Sequence, residues 1–309
     1  MKTAQLSFLG IFLMASSLFT ACHLNNFYGG GPFVRGSGTV IEETRSVEGI
    51  SGVNLSTIGQ LHIELGSTES LRIEAEDNLL PYIRTEVKNG ELLIGSRENT
   101  GLDFSKPVNY YLVVKGLESL STYSSGDIEA PDLQSERFSV NVGSSGDISI
   151  RSLESNDVRV RISSSGDVLV DTIKAGTFTA DISSSGSLET MGLEAETVTV
   201  SLNSSGDFNA GTLKAKLLDG TLSSSGDLTV SSGTVQKQRV VLSSSGDYSA
   251  RDLESDRATM MLNSSGSAVI RVQSQLKAQL SSSGDLSYVG NPVVDASTNS
   301  SGELIRLSR

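Results

Sequence analysis

From Gly126 onward, apolar and polar residues follow a fixed beat. With Gly146 as position zero, apolar side chains fall at plus 2, 4, 7, 12, 14 and 16: Ile148, Ile150, Leu153, Val158, Val160 and Ile162. From Gly166 the same offsets give Val168, Val170, Ile173, Phe178, Ala180 and Ile182. From Gly206 they give Phe208, Ala210, Leu213, Leu218, Gly220 and Leu222. A spacing of two is the period of a strand with one buried and one wet face. The intervening residues agree, since Arg159 and Arg161 flank Val160, and Thr177, Thr179 and Asp181 flank Phe178 and Ala180. Between plus 5 and plus 11 the alternation loosens into Ser, Glu, Asn, Asp and Lys, which predicts a turn.

A Ser-Ser-Gly triplet sets the beat. Its glycines are Gly126, Gly146, Gly166, Gly186, Gly206, Gly226, Gly246 and Gly266, spaced by 20, followed by Gly284 and Gly302 at spacings of 18. The alternation runs through the triplet, from Val142 by Ser144 and Gly146 to Ile148. The first Ser and the Gly are therefore expected to face inward at a corner, where small residues let backbones approach closely.

A period near 20 with about six inward residues is the signature of a solenoid, in which no coil buries its own face and stacked neighbours share one core. Equivalent strands of successive coils would pair in parallel, ~4.8 Å apart. A left-handed hexapeptide helix needs an apolar residue at every sixth position, which these offsets do not supply. The expected fold is all-β, a right-handed parallel β-helix of 20-residue coils over residues 123–309, handed as parallel crossovers usually are.

Residues 39–122 are strand-like without the 20-residue clock. Gln60 to Leu65 and Ser70 to Ala75 alternate and are joined by the turn Gly66-Ser67-Thr68. Ile83 to Lys88, the turn Asn89-Gly90 and Glu91 to Ile94 predict a hairpin, and Val108 to Val114 another strand. An irregular N-terminal β cap of this kind is expected to cover the solenoid's first coil, whose open edge would invite aggregation.

Residues 1–21 read as a secretory signal, with Lys2 as the positive start and Leu6 to Phe19 as an apolar stretch too short to span a bilayer. They end in Leu18-Phe19-Thr20-Ala21-Cys22, which resembles the bacterial lipobox apart from Phe19 where Leu is usual. Cys22 is thus the candidate lipid attachment site, and residues 22–38, rich in Asn and Gly, a flexible tether. The plainer alternative is an ordinary cleavage site beside an incidental Cys. Cys22 is the only cysteine, so no intramolecular disulfide forms.

Composition sharpens the picture. The chain has 31 Gly, no Trp and a formal charge of −12, and its Gly and Ser obey a strict period, which argues for a repeat fold over disorder. The acidic balance disfavours nucleic acid. His23 and His62 are the only histidines and stand 39 residues apart, so neither a dyad nor a metal site is expected and both read as solvated surface. Tyr110-Tyr111 reads as half core and half edge. Gly29-Gly30-Gly31-Pro32 precedes no helix and makes no phosphate loop.

The segment from Glu76-Asp77-Asn78-Leu79-Leu80 to Ile94, the Ser-Gly-Asp coils and the closing Asp285-Leu286-Ser287-Tyr288-Val289-Gly290-Asn291-Pro292 resemble the putative auto-transporter adhesin, head GIN domain family over roughly residues 47–307. That family usually reads Gly-Ser-Gly where this chain has Ser-Ser-Gly. The resemblance implies a bacterial envelope protein with a β-helical fold and brings no catalytic residues with it.

One feature could carry chemistry. Asp follows the triplet at Asp127, Asp147, Asp167, Asp207, Asp227, Asp247 and Asp285, with Ser187, Ser267 and Glu303 at the other equivalent positions. At plus one these side chains would stack along one edge, repelling by roughly 1 kcal/mol per neighbour in water. Turn chemistry, with each Asp bonding nearby amides, is the leading reading. A surface ladder for a carbohydrate or partner comes second and a cation site third. No cofactor, metal or catalytic residue is expected.

The functional expectation is a non-enzymatic cell-envelope lipoprotein, anchored in the outer membrane, acting as an adhesin-like or scaffolding solenoid. Its repetitive polar face would meet a glycan or protein surface ligand. The alternative is a polysaccharide-active lyase or hydrolase. Such enzymes need a cleft made by long inserted loops, for which seven intervals of 20 leave no room, and a constellation beside the carboxylates.

Overall fold

The computed structural model describes residues 33–97, 100–281, 283–299 and 301–308. In chain order the strands are β1 (Phe33–Arg35), β2 (Val40–Arg45), β3 (Gly52–Ser56), β4 (Gln60–Leu65), β5 (Ser70–Glu76), β6 (Ile83–Lys88) and β7 (Glu91–Ser96). Then come β8 (Gly101–Asp103), β9 (Asn109–Val114), β10 (Ser119–Thr122), β11 (Asp127–Val142), β12 (Ile148–Ile162), β13 (Val168–Ile182) and β14 (Leu188–Leu202). The last are β15 (Phe208–Leu222), β16 (Leu228–Leu242), β17 (Tyr248–Leu262), β18 (Ala268–Leu280), β19 (Leu286–Val289), β20 (Val293–Thr298) and β21 (Leu304–Leu307). Among the described residues the only helical element is a 3-10 turn at Leu80–Tyr82.

Strands β11 to β18 stack each on the next, all in parallel. Ile148 lies beside Val168, Val168 beside Leu188 and Leu188 beside Phe208, so equivalent positions form columns. The chain is a parallel β-solenoid of about nine turns with an irregular N-terminal region. The six predicted inward positions of the coil from Gly146 are all buried, while Arg159 and Arg161 are exposed.

Pairing between β12 and β13 skips residues 151 and 156 on one strand and 171 and 176 on the other. Each coil therefore has three sides, covering plus 2 to 4, plus 6 to 9 and plus 11 to 16. The stretch expected as a turn is instead a side of its own. It carries a second inward position at plus 9, where Ser155, Ala195, Val235 and Ser255 are buried. Most of the residues there are small, and small residues hide from a hydrophobic pattern.

The triplets form the remaining corner, as expected. A Cβ on Gly166 would stand 2.2 Å from the Gly146 carbonyl oxygen and 2.7 Å from that of Ser144. The Gly166 N–H instead donates to Ser144 O at 3.1 Å, so the hydrogen-bond ladder turns the corner unbroken. In the triplets from Ser124 to Gly266 the Gly is buried and the first Ser half-buried.

One coil departs from the pattern and compensates. Gly233 replaces the inward leucine of its neighbours, Leu213 and Leu253. Tyr248 is buried in the adjoining coil, and its hydroxyl donates to Gln238 Oε1 at 2.8 Å. Gln238, fully buried where other coils hold an apolar residue, donates from Nε2 to Ser255 Oγ at 2.7 Å. Ser255 in turn donates to the Arg271 carbonyl at 2.7 Å. That carbonyl lies where the period drops to 18 and the β17–β18 register shifts, so the buried polar chain satisfies a group the ladder leaves over.

Below the first regular coil, β10 lies under β11, β3 under β10 and β7 under β3, all in parallel. Likewise β4 lies under β11 and β9 under β4. Thr57 occupies a corner place, its carbonyl oxygen 2.3 Å from where a Cβ on Gly126 would be. Then the direction reverses: β5 runs antiparallel to β9, β2 to β5 and β6 to β7. The β6–β7 hairpin turns on Asn89 and Gly90, both with positive φ, 52° and 82°. Strands β4 and β5, neighbours in sequence, do not pair with each other; β9 lies between them.

The tether expectation needs correction at residues 33–38. Strand β1 pairs with β8, and Gly38 N donates to Glu76 Oε1 at 2.6 Å. Glu76 is fully buried and also accepts Ser105 N at 2.8 Å and Ser105 Oγ at 2.5 Å. One carboxylate thus binds two chain segments to the end of the stack. The signal segment, Cys22, His23 and residues 22–32 of the tether lie outside the described residues.

Candidate functional site

The seven predicted aspartates stand in one column at the corner after each triplet, and every one of their carboxylates is engaged. Asp127 Oδ1 accepts Asp147 N at 2.9 Å, and Asp147 Oδ1 accepts Asp167 N at 2.8 Å. Asp167 accepts Ser187 N at 2.7 Å and Ser187 Oγ at 2.8 Å. Asp207 and Asp227 accept the Asp227 and Asp247 amides, both at 2.8 Å. Asp247 accepts Ser267 N at 2.7 Å, and Asp285 accepts Glu303 N at 2.8 Å.

The amide each carboxylate serves belongs to the next coil, 18 or 20 residues along the chain. At this corner the N–H at plus 2 donates upward, Ile148 N to Asp167 O at 3.0 Å for example, which uses the carbonyl at plus 1 of the next coil. The amide at that same position needs an acceptor from below, and the Asp supplies it. A charged acceptor makes a stronger bond than a neutral one, which offsets the repulsion along the column. Five of the aspartates are exposed, and Asp207 and Asp285 are half-buried. Among the described residues no group of three or more His, Cys, Asp or Glu is arranged to hold a metal ion.

A second constellation lies near the N-terminal end. Glu129, His62, Tyr111 and Arg72 sit side by side across β11, β4, β9 and β5. His62 Nδ1 is 3.0 Å from Glu129 Oε2, and its ring stacks on Tyr111 with centroids 5.2 Å apart. The Arg72 guanidinium lies 3.9 Å over the Tyr111 ring, and the Tyr111 hydroxyl donates to Glu74 at 3.1 Å. Burial pushes the Glu74 carboxyl upward, but hydrogen bonds from Arg72, Asn109 and Tyr111 outweigh it and hold the group below its usual range. His62 is therefore half-buried and paired rather than a free surface side chain, because β9 docks beside β4. Tyr110 points into the core and Tyr111 lies at its margin, as the pair suggests.

The pattern did not single out Tyr123. Tyr123 is 53% exposed and its ring lies over Gly143, where a Cβ would come within 2.4 Å of Tyr123 Cδ1. It stands at the foot of a groove of about 480 Å³ that runs along the coil stack. The signal available in sequence was small: Gly143 is the sole glycine in a column that starts at Tyr123 itself and otherwise reads Ser163, Ser183, Asn203, Ser223, Ser243, Asn263, Ser281 and Asn299.

Fold and columns together define a stacked-coil protein that presents repeated outward faces. The chain belongs to the family described as putative auto-transporter adhesin, head GIN domain, whose model matches residues 50–231 and 200–292. Three solved structures are similar to it. A putative adhesin from Parabacteroides merdae ATCC 43184 is 17% identical, with 89% of this chain and 99% of that one covered and a TM-score of 0.48. A putative adhesin from Parabacteroides distasonis ATCC 8503 is 18% identical, with 90% and 100% covered and a TM-score of 0.48. A putative lipid binding protein from the same organism is 18% identical, with 89% and 99% covered and a TM-score of 0.48. No protein of curated function matches the chain.

Proposed function

We propose that this protein is a non-enzymatic envelope adhesin or scaffold, tethered to the outer membrane by lipid on Cys22. The observation that carries the reading is the unbroken parallel register from β11 to β18, which repeats outward side chains in columns coil after coil. Weak contacts at each coil sum when a polymeric or multivalent partner engages several at once. The aspartates belong to this scheme chiefly as scaffold, since each already serves an amide and thereby keeps the columns in line. Family membership supports an adhesive role at the cell surface.

Three measurements test the proposal. Labelled palmitate is expected to enter the wild type and not Cys22→Ala, which should be released by gentle washing; a wild type without label removes the anchor. Cells lacking the protein should attach less well to glycan- or protein-coated surfaces, while the purified chain leaves polysaccharides chemically intact. New reducing ends or unsaturated sugars would overturn the non-enzymatic reading, and unchanged attachment would leave scaffolding alone.

A further inference from the structure

We propose that the groove at Tyr123 is a binding site for a neutral linear glycan laid along the rod. The inference rests on the adhesive reading above and gives it a ligand class and an address.

One wall is a column of Asn141, Arg161 and Asp181, the last two 3.8 Å apart from Nε to Oδ2. The facing column offers Ser183 and Asn203, and Tyr123 lies at the foot. From Tyr123 to Asn203 the groove crosses four coil spacings, roughly 19 Å at ~4.8 Å each. That is room for a short run of sugar rings, each spanning about one coil. The volume, about 480 Å³, falls within the range of ligand sites.

Its chemistry is that of sugar recognition. An exposed aromatic ring offers an apolar face to the C–H side of a pyranose. Asp181 accepts from hydroxyls, Arg161 and Asn141 donate, and all three are held on rigid strands. Asn141 is itself oriented, with Nδ2 donating to Ser121 Oγ at 3.3 Å. Among the described residues the Tyr123 hydroxyl makes no hydrogen bond within the chain, so nothing internal requires the ring to be there. Gly143 clears the space: a side chain like those at Ser163 or Ser183 would strike the ring.

Charge and backbone narrow the ligand. Arg161 and Asp181 balance each other, and a chain of −12 repels polyanions, which favours a neutral glycan. An extended peptide would seek free backbone groups at a sheet edge. This groove lies on a sheet face whose backbone is already laddered, with Ser163 N bonded to Val142 O and Ser183 N to Ile162 O, both at 2.9 Å.

Calorimetry on the purified full-length chain tests the idea, with cellotetraose and the tetramer of N-acetylglucosamine as probes at up to about 10 mM. One site of high-micromolar to millimolar Kd is expected for at least one probe. Tyr123→Phe should keep it within about threefold, whereas Tyr123→Ala and Asp181→Ala should each weaken it about tenfold or more without moving Tm. Gly143→Ser should weaken binding too, by displacing the ring while leaving it in the sequence. No binding of either probe by the wild type, or equal binding by Tyr123→Ala, overturns the inference. Tyr123-dependent attachment to a protein-coated surface without sugar binding overturns it as well, in favour of a protein ligand. The adhesive reading fails separately, when a deletion strain attaches as well as wild type whatever the purified chain binds.

Discussion

Asp147 and Asp167 are twenty residues apart, yet the carboxylate of the first accepts the backbone N–H of the second at 2.8 Å. The same bond recurs up the rod and makes the column a staple between coils. Asp147→Ala should cost about 0.5–2 kcal/mol, the roughly 1.5–3 kcal/mol of a bond to a charged acceptor less about 1 kcal/mol of relieved repulsion along the column. Asp147→Asn keeps the accepting oxygen and sheds repulsion of roughly 1 kcal/mol, so its Tm should match or exceed wild type. Equal losses in both variants would show that charge, and not the accepted amide, is what matters. With one oxygen of each carboxylate committed, Ca²⁺ should bind no tighter than about 1 mM, short of the six to eight oxygens it prefers. A micromolar isotherm abolished in Asp147→Asn/Asp167→Asn would reverse that view.

Two glycines should respond oppositely to alanine. A Cβ on Gly206 would lie 2.2 Å from the Gly186 carbonyl and 2.6 Å from that of Ser184, and neither backbone atom can yield. Gly206→Ala is expected to cost about 1–3 kcal/mol or more. A Cβ on Gly192 meets nothing within 4 Å, and Gly192→Ala should gain about 0.4–1 kcal/mol through the unfolded chain. Chemical denaturation of the two variants decides.

Register predicts a third contrast, between adjacent residues. Val160 is fully buried and Arg159 exposed. Val160→Asp should lose several kcal/mol, whereas Arg159→Asp should stay within about 0.5 kcal/mol of wild type. Similar thermal shifts for both would be incompatible with the inward set described.

Acid should loosen the N-terminal end first. The Ser105 hydroxyl, with the amides of Gly38, Ser105 and Lys106, holds the Glu76 carboxyl below its usual range, against the opposing effect of burial. Its folded pKa therefore lies under the unfolded value of about 4.3. The stability it contributes is present above that value and is lost as pH falls through the folded pKa. The Tm difference between wild type and Glu76→Gln should be largest near neutrality and shrink below about pH 4. A difference independent of pH would mean that the carboxylate's charge is not involved.

Much of the fold could be read from the chain because each coil repeats the same problem. Ile148 and Val168 are distant in sequence, but periodicity places them in one column without any knowledge of contacts. What escaped was of three kinds. Ser155 and Ala195 are inward residues too small to register as hydrophobic. Gln238 is inward and polar, which only Tyr248, Ser255 and the Arg271 carbonyl make acceptable. The pairing of β5 with β9 rather than β4 breaks the expectation that neighbours in sequence pair in space. For the candidate sites, the aspartate column was visible while the amide it serves was not, since that partner exists only once coils stack. Tyr123 was marked solely by the absence of a side chain at Gly143.

The antiparallel strands β2, β5 and β6 give the rod a polarity. At that end the backbone no longer offers the parallel edge that a further coil would need, so the rod cannot be lengthened there by stacking. Within the solenoid the backbone of each coil pairs only with the coil before and the coil after. An in-frame duplication of a single repeat would add ~4.8 Å of reach and one more copy of every surface column. The gene thus carries an adjustable ruler, one that evolution can lengthen by simple copying while the foundation at the N-terminal end stays as it is.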